Sequence, residues 1–191
     1  QLSTEAGEQA KVDVENELHW RQNRRRLQAE AIRDSILSVS GQLDPRAGGT
    51  TMKAGTSTEY GYKFEGTRRS LYTPVFRNTP LEILSVFDFA DPNLVVGERT
   101  TSSVPTQALF LMNSSFVRTQ AEEAAKRLLD ENLTDNTLRI DHAYRRTLGR
   151  NATSREREIV LKFLEQEKDQ AKAWTQILHG LYASLDFRFL N

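Results

Sequence analysis

The second half of the chain constrains the fold most, because apolar residues recur there at helical spacing from Ser115 onwards. The first stripe consists of Phe116, Val117, Ala121, Ala124, Ala125, Leu128 and Leu129. The last consists of Trp174, Ile177, Leu178, Leu181 and Leu185, and the tail DFRFLN after it is expected to pack back on the domain. These stripes predict successive amphipathic helices with one buried face each.

Start and stop signals divide this half into separate helices. Thr134 or Asp135 is expected to open a helix that ends at Gly149, since glycine suits the left-handed position after a helix. Thr153 and Glu156 have the spacing of a capping box, which predicts the start of the next helix.

Two short apolar helices are predicted in the middle of the chain. Thr79, Pro80 and Glu82 fit the N-cap, N1 and N3 positions of a capping box. Pro105 fits the first turn of a second helix that Asn113 ends. The polar loop between these helices is expected to lie rigidly on the surface above a core.

A long amphipathic helix is predicted from Glu15 to a stop at Gly41. It would carry an arginine cluster, Arg21 with Arg24, Arg25 and Arg26. On a helix, the pairs Glu17 with Arg21, Arg26 with Glu30 and Glu30 with Arg33 would lie one turn apart. The cluster is therefore interpreted as a salt-bridged, solvated face, with a nucleic-acid or phosphate patch as the alternative.

These elements predict an all-α protein, an irregular bundle of six or seven helices. A long Gly/Thr-rich loop follows the first long helix, and at most a small β-hairpin, from residues 60–64 and 71–75, closes it. Residues 1–14 are expected to be a loose lead-in and residues 15–191 a single helical domain, the excised C-terminal part of a larger protein.

Charge and composition exclude several classes of function. Lys and Arg number 26 and Asp and Glu number 26, so a strongly basic nucleic-acid surface is not supported. The chain has no cysteine and no apolar run of about 20 residues, so thiol chemistry and membrane insertion by this segment are not expected. His19, His142 and His179 lack metal-site spacing, and no cofactor or metal is predicted in this domain.

Polar residues of the stretch from Arg68 to Asn113 form the predicted ligand-binding set. The set consists of Arg68, Arg69, Tyr72, Arg77, Asn78, Arg99 and Gln107. Converging guanidinium groups can bind a carboxylate or sulfate through paired hydrogen bonds. The alternative is that these arginines fasten the loop to helix C-termini and to Asp88 or Asp91.

Three loop carboxylates, Asp88, Asp91 and Glu98, are the alternative catalytic residues. Two carboxyl groups about 5 to 9 Å apart can serve as acid and base in glycoside cleavage. The structural alternative gives Asp88 a place near a helix end, Asp91 an Asx turn before Pro92, and Glu98 an ion pair with Arg99.

Four blocks of sequence resemble a known bacterial family. They are RRRLQAEAIRDSILSVSGQLD, RRSLYTPVFRNTPLEILSVFDFADPN, GERTTSSVPTQALFLMNSSFV and RIDHAYRRTLGRNATSRE. In this order they are similar to the planctomycete-specific C-terminal domain of large multidomain proteins, which usually follows cytochrome-c-like and planctomycete-specific middle domains. The resemblance implies an all-helical domain of unknown function in an exported, periplasmic or cell-envelope protein. Haem c would be bound upstream, because this chain has no C-x-x-C-H motif.

The leading hypothesis is a non-catalytic helical interaction module of an exported planctomycete protein. It would dock other domains of its parent protein, an envelope partner or a polysaccharide through the surface between Arg68 and Gln107. The alternative is a polysaccharide-active hydrolase that uses the loop carboxylates beside an arginine-lined anion site.

Overall fold

The computed structural model describes residues 8–133 and 135–190, and within these ranges the protein is all-α as predicted. The helices are α1 Gln9–Val12, α2 Ala29–Ser40, α3 Glu82–Val86, α4 Pro105–Asn113, α5 Ser115–Leu129, α6 Asn136–Leu148, α7 Ser154–Gln166, α8 Gln170–Ala183 and α9 Leu185–Arg188. A 3-10 turn spans Ser70–Tyr72, and the strands β1 Arg25–Arg26 and β2 Phe189–Leu190 pair antiparallel. The helix count exceeds the predicted six or seven because α1, α3 and α9 have only four or five residues.

The second half of the chain follows its capping signals. Gly149 ends α6 in a left-handed conformation with φ 72°. Thr153 and Glu156 form the predicted capping box of α7, each side chain bonding the other residue's backbone. Asp135 is the N-cap position of α6, whereas Thr134, its alternative, lies outside the described residues.

One hydrophobic core joins these helices. Helix α8 packs along α5, and α2 packs against α5 as well. Trp174 and Tyr182 of α8 are fully buried, and so are Ile32 and Ile36 of α2. Phe187 is buried in the tail and stacks edge-on against Tyr182 with ring centroids 5.2 Å apart. The tail therefore packs back on the core as expected.

The predicted long helix is wrong over its first half. Helix α2 begins only at Ala29, although it ends at Gly41 with φ 78° as predicted. Before it, the Asn16 side chain accepts from the backbone N–H of Arg21 and donates to its carbonyl oxygen, which closes a polar turn in place of a helical one. Strand β1 follows and pairs with the end of the chain.

The predicted arginine ladder is wrong for the same reason. Arg26 is buried and binds Asp88 at 2.6 Å, while Glu30 binds Arg99 at 2.8 Å. Arg24 lies 3.4 Å from Asp186. Long-range partners have thus replaced the neighbours one helical turn away.

Two further local predictions fail in the middle of the chain. The hairpin is wrong, because Tyr62 and Phe64 pack edge-on in a cluster with Phe76 where strands were expected. The Thr79 capping box is wrong, because α3 starts at Glu82 and the Thr79 hydroxyl donates to the carbonyl oxygen of Glu59 at 3.3 Å. Helix α4 does begin at Pro105 and end at Asn113 as predicted.

The domain boundary at residue 15 remains a prediction, and most of the lead-in, residues 1–7, lies outside the described residues. None of the described helices combines the length and the apolar character that crossing a membrane requires.

Candidate functional site

A polar clamp from α2 fixes the first part of the central stretch. The buried guanidinium of Arg33 donates to the carbonyl oxygens of Arg68 at 2.9 Å and Gly66 at 2.6 Å. Asp34 accepts from the backbone N–H of Ser70 at 2.8 Å and from its hydroxyl at 2.7 Å. Burial lowers the pKa of Arg33, and the neighbouring Asp34 opposes that shift. We call Arg33 and Asp34 the α2 clamp.

Arg68 and Tyr72, two members of the predicted ligand set, are engaged within their own loop. The Arg68 guanidinium donates to the carbonyl oxygens of Arg46 and Gly48 and stacks over the Tyr72 ring, 4.5 Å from its centroid. Arg68 therefore fastens this loop to itself, through partners other than the helix C-termini, Asp88 and Asp91 of the structural alternative.

Arg69, Arg77 and Asn78 lie on the exposed side of this region. The Asn78 side-chain amide donates to the Glu59 carboxylate. The carbonyl oxygen of Arg77 accepts from Asn93 at 3.4 Å, while its side chain is exposed. The side chains of Arg69 and Arg77 therefore face solvent.

Arg99 and Gln107 lie further along the chain, Arg99 in the loop before α4 and Gln107 in α4. Arg99 binds both oxygens of Glu30, at 2.8 and 3.0 Å, and stacks over Phe89. Gln107 is fully buried, and its amide donates to the carbonyl oxygen and hydroxyl of Ser102 at 3.3 Å. Arg68 and Arg99 border different cavities. Joint ligand binding by the seven residues stays a prediction.

The three candidate carboxylates have different surroundings. Asp88, at φ 57°, accepts from Arg26 at 2.6 Å and from the backbone N–H and hydroxyl of Ser102 at 2.8 and 2.9 Å. Asp91 accepts from the backbone N–H of Asn93 at 2.8 Å, which is the expected Asx turn. Glu98 is exposed, and its expected ion pair with Arg99 is wrong because Arg99 binds Glu30.

One polar cavity of about 610 Å³ brings part of both predicted sets together. Its lining consists of Arg25, Arg26, Leu27, Gln28, Phe87, Asp88, Gly97, Glu98, Arg99, Thr100 and Thr101. We call it the Arg26 cavity. Its volume lies within the range of small-molecule sites.

Arg25 and Arg26 also border this cavity, although neither belongs to the predicted ligand set. The helical spacing predicted that both lie on a solvated helix face, whereas they form β1. A run of arginines carries no local mark of burial, and the Asp88 partner lies 62 residues further along the chain. The available signal was that the apolar residues at helical spacing begin only at Leu27, after the arginine run.

An uncharged run with exposed apolar side chains follows Arg99 in the same stretch. Residues 100–117 contain no charged side chain, although 27% of the chain is charged. Within this run Pro105, Leu109 and Met112 are exposed at helical spacing on α4, with Leu109 55% and Met112 59% exposed. We call these three residues the α4 face. Leu94, Val95 and Val96 are exposed in the loop before it.

The histidines have separate surroundings. His142 lies 2.6 Å from Glu131, and His179 contacts the carbonyl oxygen of Leu111 at 2.9 Å. No group of three or more His, Asp or Glu side chains that could hold a metal ion occurs in the described ranges.

Comparison with known proteins gives one match. A family model described as PSD1, protein of unknown function (DUF1553), matches residues 1–164. No curated protein and no solved structure matches the chain.

Proposed function

Because the chain belongs to the family of proteins of unknown function described as PSD1 (DUF1553), we propose its role from its own surface. The protein is a non-catalytic interaction module that docks a neighbouring domain of its parent protein through the α4 face and residues 94–96. The observation that carries this proposal is the concentration of exposed apolar side chains beside and within an uncharged run.

The exposed apolar side chains and the lack of charge in residues 100–117 favour one kind of partner. An apolar surface without charges gains most by covering an equally apolar, uncharged surface, because a charged partner would lose solvation without gaining an ion pair. Contacts between domains of one chain resemble protein interfaces, whose centres are depleted in charged residues. A neighbouring domain of the parent protein fits this description, whereas a polysaccharide rich in hydroxyl groups does not.

The core behind α4 supports a docking role, because it holds the helix in a fixed orientation. Leu111 and Gln107 on the inner side are fully buried, so the backbone that carries Leu109 and Met112 is held in place. A backbone that is already ordered loses little conformational entropy when a partner covers the helix.

The wider setting is also a proposal. The resemblance to the planctomycete C-terminal domain supports an exported, periplasmic or cell-envelope protein, with haem c in upstream domains. In that setting the module would hold those domains in a fixed arrangement.

The test is photo-crosslinking in cells that produce the parent protein. A photoreactive amino acid at Leu109 is expected to give crosslinks to another domain of the same protein, mapped by mass spectrometry. The same substitution at Leu138, which is also 55% exposed but lies on α6, is the matched control and is expected to give few. Equal crosslinking from both positions, or crosslinks from Leu109 only to other proteins, would contradict the proposal.

The hydrolase remains the second candidate, because Asp88 and Glu98 border the same cavity. Against it, Asp88 already accepts hydrogen bonds from Arg26 and Ser102. Incubation with neutral and acidic polysaccharides, followed by a reducing-end assay, is expected to show no cleavage. Cleavage that disappears in Glu98→Gln would replace the docking proposal with the hydrolase.

A further inference from the structure

A second cavity, of about 400 Å³, lies at the N-terminus of α5, where α2, α3 and residues 64–67 also border it. Its lining consists of residues 64–67, 81–83 and 114–116 with Arg33, Leu37, Phe110, Thr119 and Gln120. We call it the α5 cavity. Its volume lies within the range of small-molecule sites, and none of the α4 face residues borders it.

Gln120 carries a hydrogen-bond donor that the protein leaves free at this cavity. The residue is only 8% exposed, and its Oε1 accepts from the Ser40 hydroxyl at 2.7 Å. Among the described residues its Nε2 meets no acceptor, yet this nitrogen is not closed off from solvent. Because the Ser40 bond holds the Oε1 edge of the amide against α2, the Nε2 edge remains for a ligand in the cavity that Gln120 borders.

The first turn of α5 adds backbone donors at the same place. Ser114 is the N-cap residue, but its hydroxyl makes no capping hydrogen bond. Within the described ranges the backbone N–H groups of residues 115–117 have no acceptor, as expected for the first turn of an uncapped helix. Ser114, Ser115 and Phe116 all border the cavity. A ligand oxygen at this end of the cavity therefore meets donors from the helix backbone and from Gln120.

The charges around the cavity favour an uncharged ligand. The Arg33 guanidinium lies 3.5 Å from Asp34, and Glu65 is paired with Lys53 at 2.7 Å, while Glu82 is exposed in the lining. A carboxylate ligand would lose hydration without gaining a free cation as partner. An ammonium ligand would bring its own N–H donors and its positive charge against the N–H donors of the α5 N-terminus.

We propose that the α5 cavity binds a small uncharged molecule with an apolar body and a carbonyl oxygen. Nε2 of Gln120 and the first-turn N–H groups of α5 would donate to that oxygen. The apolar body would cover the partly exposed side chains of the lining, which removes apolar surface from water. These side chains are Phe64, Leu81, Phe110 and Phe116. The proposal does not rest on the docking role of the α4 face.

The test is an NMR titration of the whole chain, observing the side-chain amide resonances of Gln120 and the backbone amides of residues 115–117. Phenylacetamide is expected to shift both sets to saturation. Phenethylamine has the same ring and chain length with an ammonium group in place of the amide, and phenylacetate has a carboxylate there. We expect each of them to bind about tenfold more weakly than phenylacetamide. This series uses the unaltered chain, so it does not depend on the folding of a variant.

A substitution at Gln120 tests the donor itself. Gln120→Met keeps the length of the side chain and removes the amide, and the Ser40 hydroxyl can turn to the carbonyl oxygen of Leu37, 2.9 Å away. We expect phenylacetamide to bind about tenfold more weakly to this variant. Gln166→Met, at an exposed glutamine of α7, is the matched control and is expected to leave binding unchanged.

Three results would each overturn the proposal. The first is the absence of a saturable shift at Gln120 with phenylacetamide. The second is binding of phenethylamine or phenylacetate that is as tight as that of phenylacetamide. The third is an unchanged affinity for phenylacetamide in a folded Gln120→Met variant.

Discussion

Helix α5 and the central stretch around residues 66–70 both lie against α2, but different forces hold them there. Ile32 and Ile36 of α2 lie in the apolar core that also contains α5 and α8. Arg33 and Asp34 of the same helix hold the central stretch through its backbone carbonyl oxygen, N–H and hydroxyl groups. One helix thus contacts α5 mainly through apolar side chains, beside a buried hydrogen bond of 2.7 Å from Ser40 to Gln120, and contacts the central stretch through polar ones.

The difference explains how an irregular stretch keeps a fixed shape. Buried backbone groups must be hydrogen-bonded, and helices satisfy them internally. Residues 66–69 lie outside every helix and strand and Ser70 only begins a 3-10 turn, so the α2 clamp supplies partners for their backbone groups. Conformation in this region is therefore expected to depend on a few charged side chains, whereas the helical half depends on many apolar ones.

The largest expected effect tests the apolar side of this comparison. Trp174→Ala removes a fully buried side chain at the centre of α8. We expect the free energy of unfolding to fall by about 3–5 kcal/mol because a large cavity is left in the core. Urea denaturation followed by circular dichroism measures this, and a loss below about 1 kcal/mol would show that the core repacks freely.

A smaller effect is expected from the clamp. Arg33→Met leaves the carbonyl oxygens of Arg68 and Gly66 without their donor, and we expect a loss of about 2–3 kcal/mol. Amide exchange should rise first in residues 44–73 and only later in α5 and α8. A uniform rise across the chain would contradict the separate roles of the two regions.

Loss of the ion pair between Arg150 and Glu156 at low pH is expected to destabilise the protein less than the clamp substitution does. The Arg150 guanidinium, with help from Thr153, holds the pKa of Glu156 at about 2, below its ordinary 4.5. Because the unfolded chain takes up this proton first, the stabilisation is present above about pH 4.5 and is lost as the pH falls towards 2. After screening by solvent, we expect about 1–2 kcal/mol.

Urea unfolding of the wild type and of Glu156→Gln at pH 6 and pH 2.5 measures the stabilisation that ionised Glu156 contributes. The difference in stability between the wild type and Glu156→Gln should shrink at the lower pH. Glu158→Gln, an exposed residue of the same helix, is the control and is expected to change stability equally little at both pH values. A constant difference for Glu156→Gln would exclude the Arg150 pair as a source of pH dependence.

The smallest effect is expected at the α4 face. Leu109→Ser and Met112→Ser should each change the unfolding free energy by less than about 0.5 kcal/mol, because both side chains are already exposed. Ile159→Ser, at the same 59% exposure as Met112, is the matched control on α7. If either serine variant lowered the free energy of unfolding as much as Arg33→Met does, the α4 face would be part of the folded core.

The sequence predicts the helical half because its signals are local. The stripe that includes Val117, Ala121 and Leu128 is buried as expected, and Gly149 and Thr153 mark true helix ends. Each of these signals lies within one helix or at its end, so it needs no knowledge of distant partners.

The candidate site could not be predicted in the same way. Arg26, Arg33 and Arg99 find partners far away along the chain, at Asp88, Arg68 and Glu30. The spacing of Arg26 and Glu30 fits an ion pair along one helix, and it contains no sign of a distant partner. Spacing alone therefore assigned Arg26 to the wrong carboxylate. The polar loop at Asp91 was predictable because an Asx turn is again a local feature.

The central claim is that polar contacts fix residues 66–70 on α2 while residues 97–101 remain exposed beside a cavity. Native-state hydrogen exchange of single amides tests it most directly. The amides of Asp44 and Ser70, which donate to Thr67 and Asp34, are expected to exchange with protection close to that of α2. The amides of residues 97–101 are expected to exchange nearly as fast as an unfolded peptide. Fast exchange at Ser70, or strong protection throughout 97–101, would contradict the account.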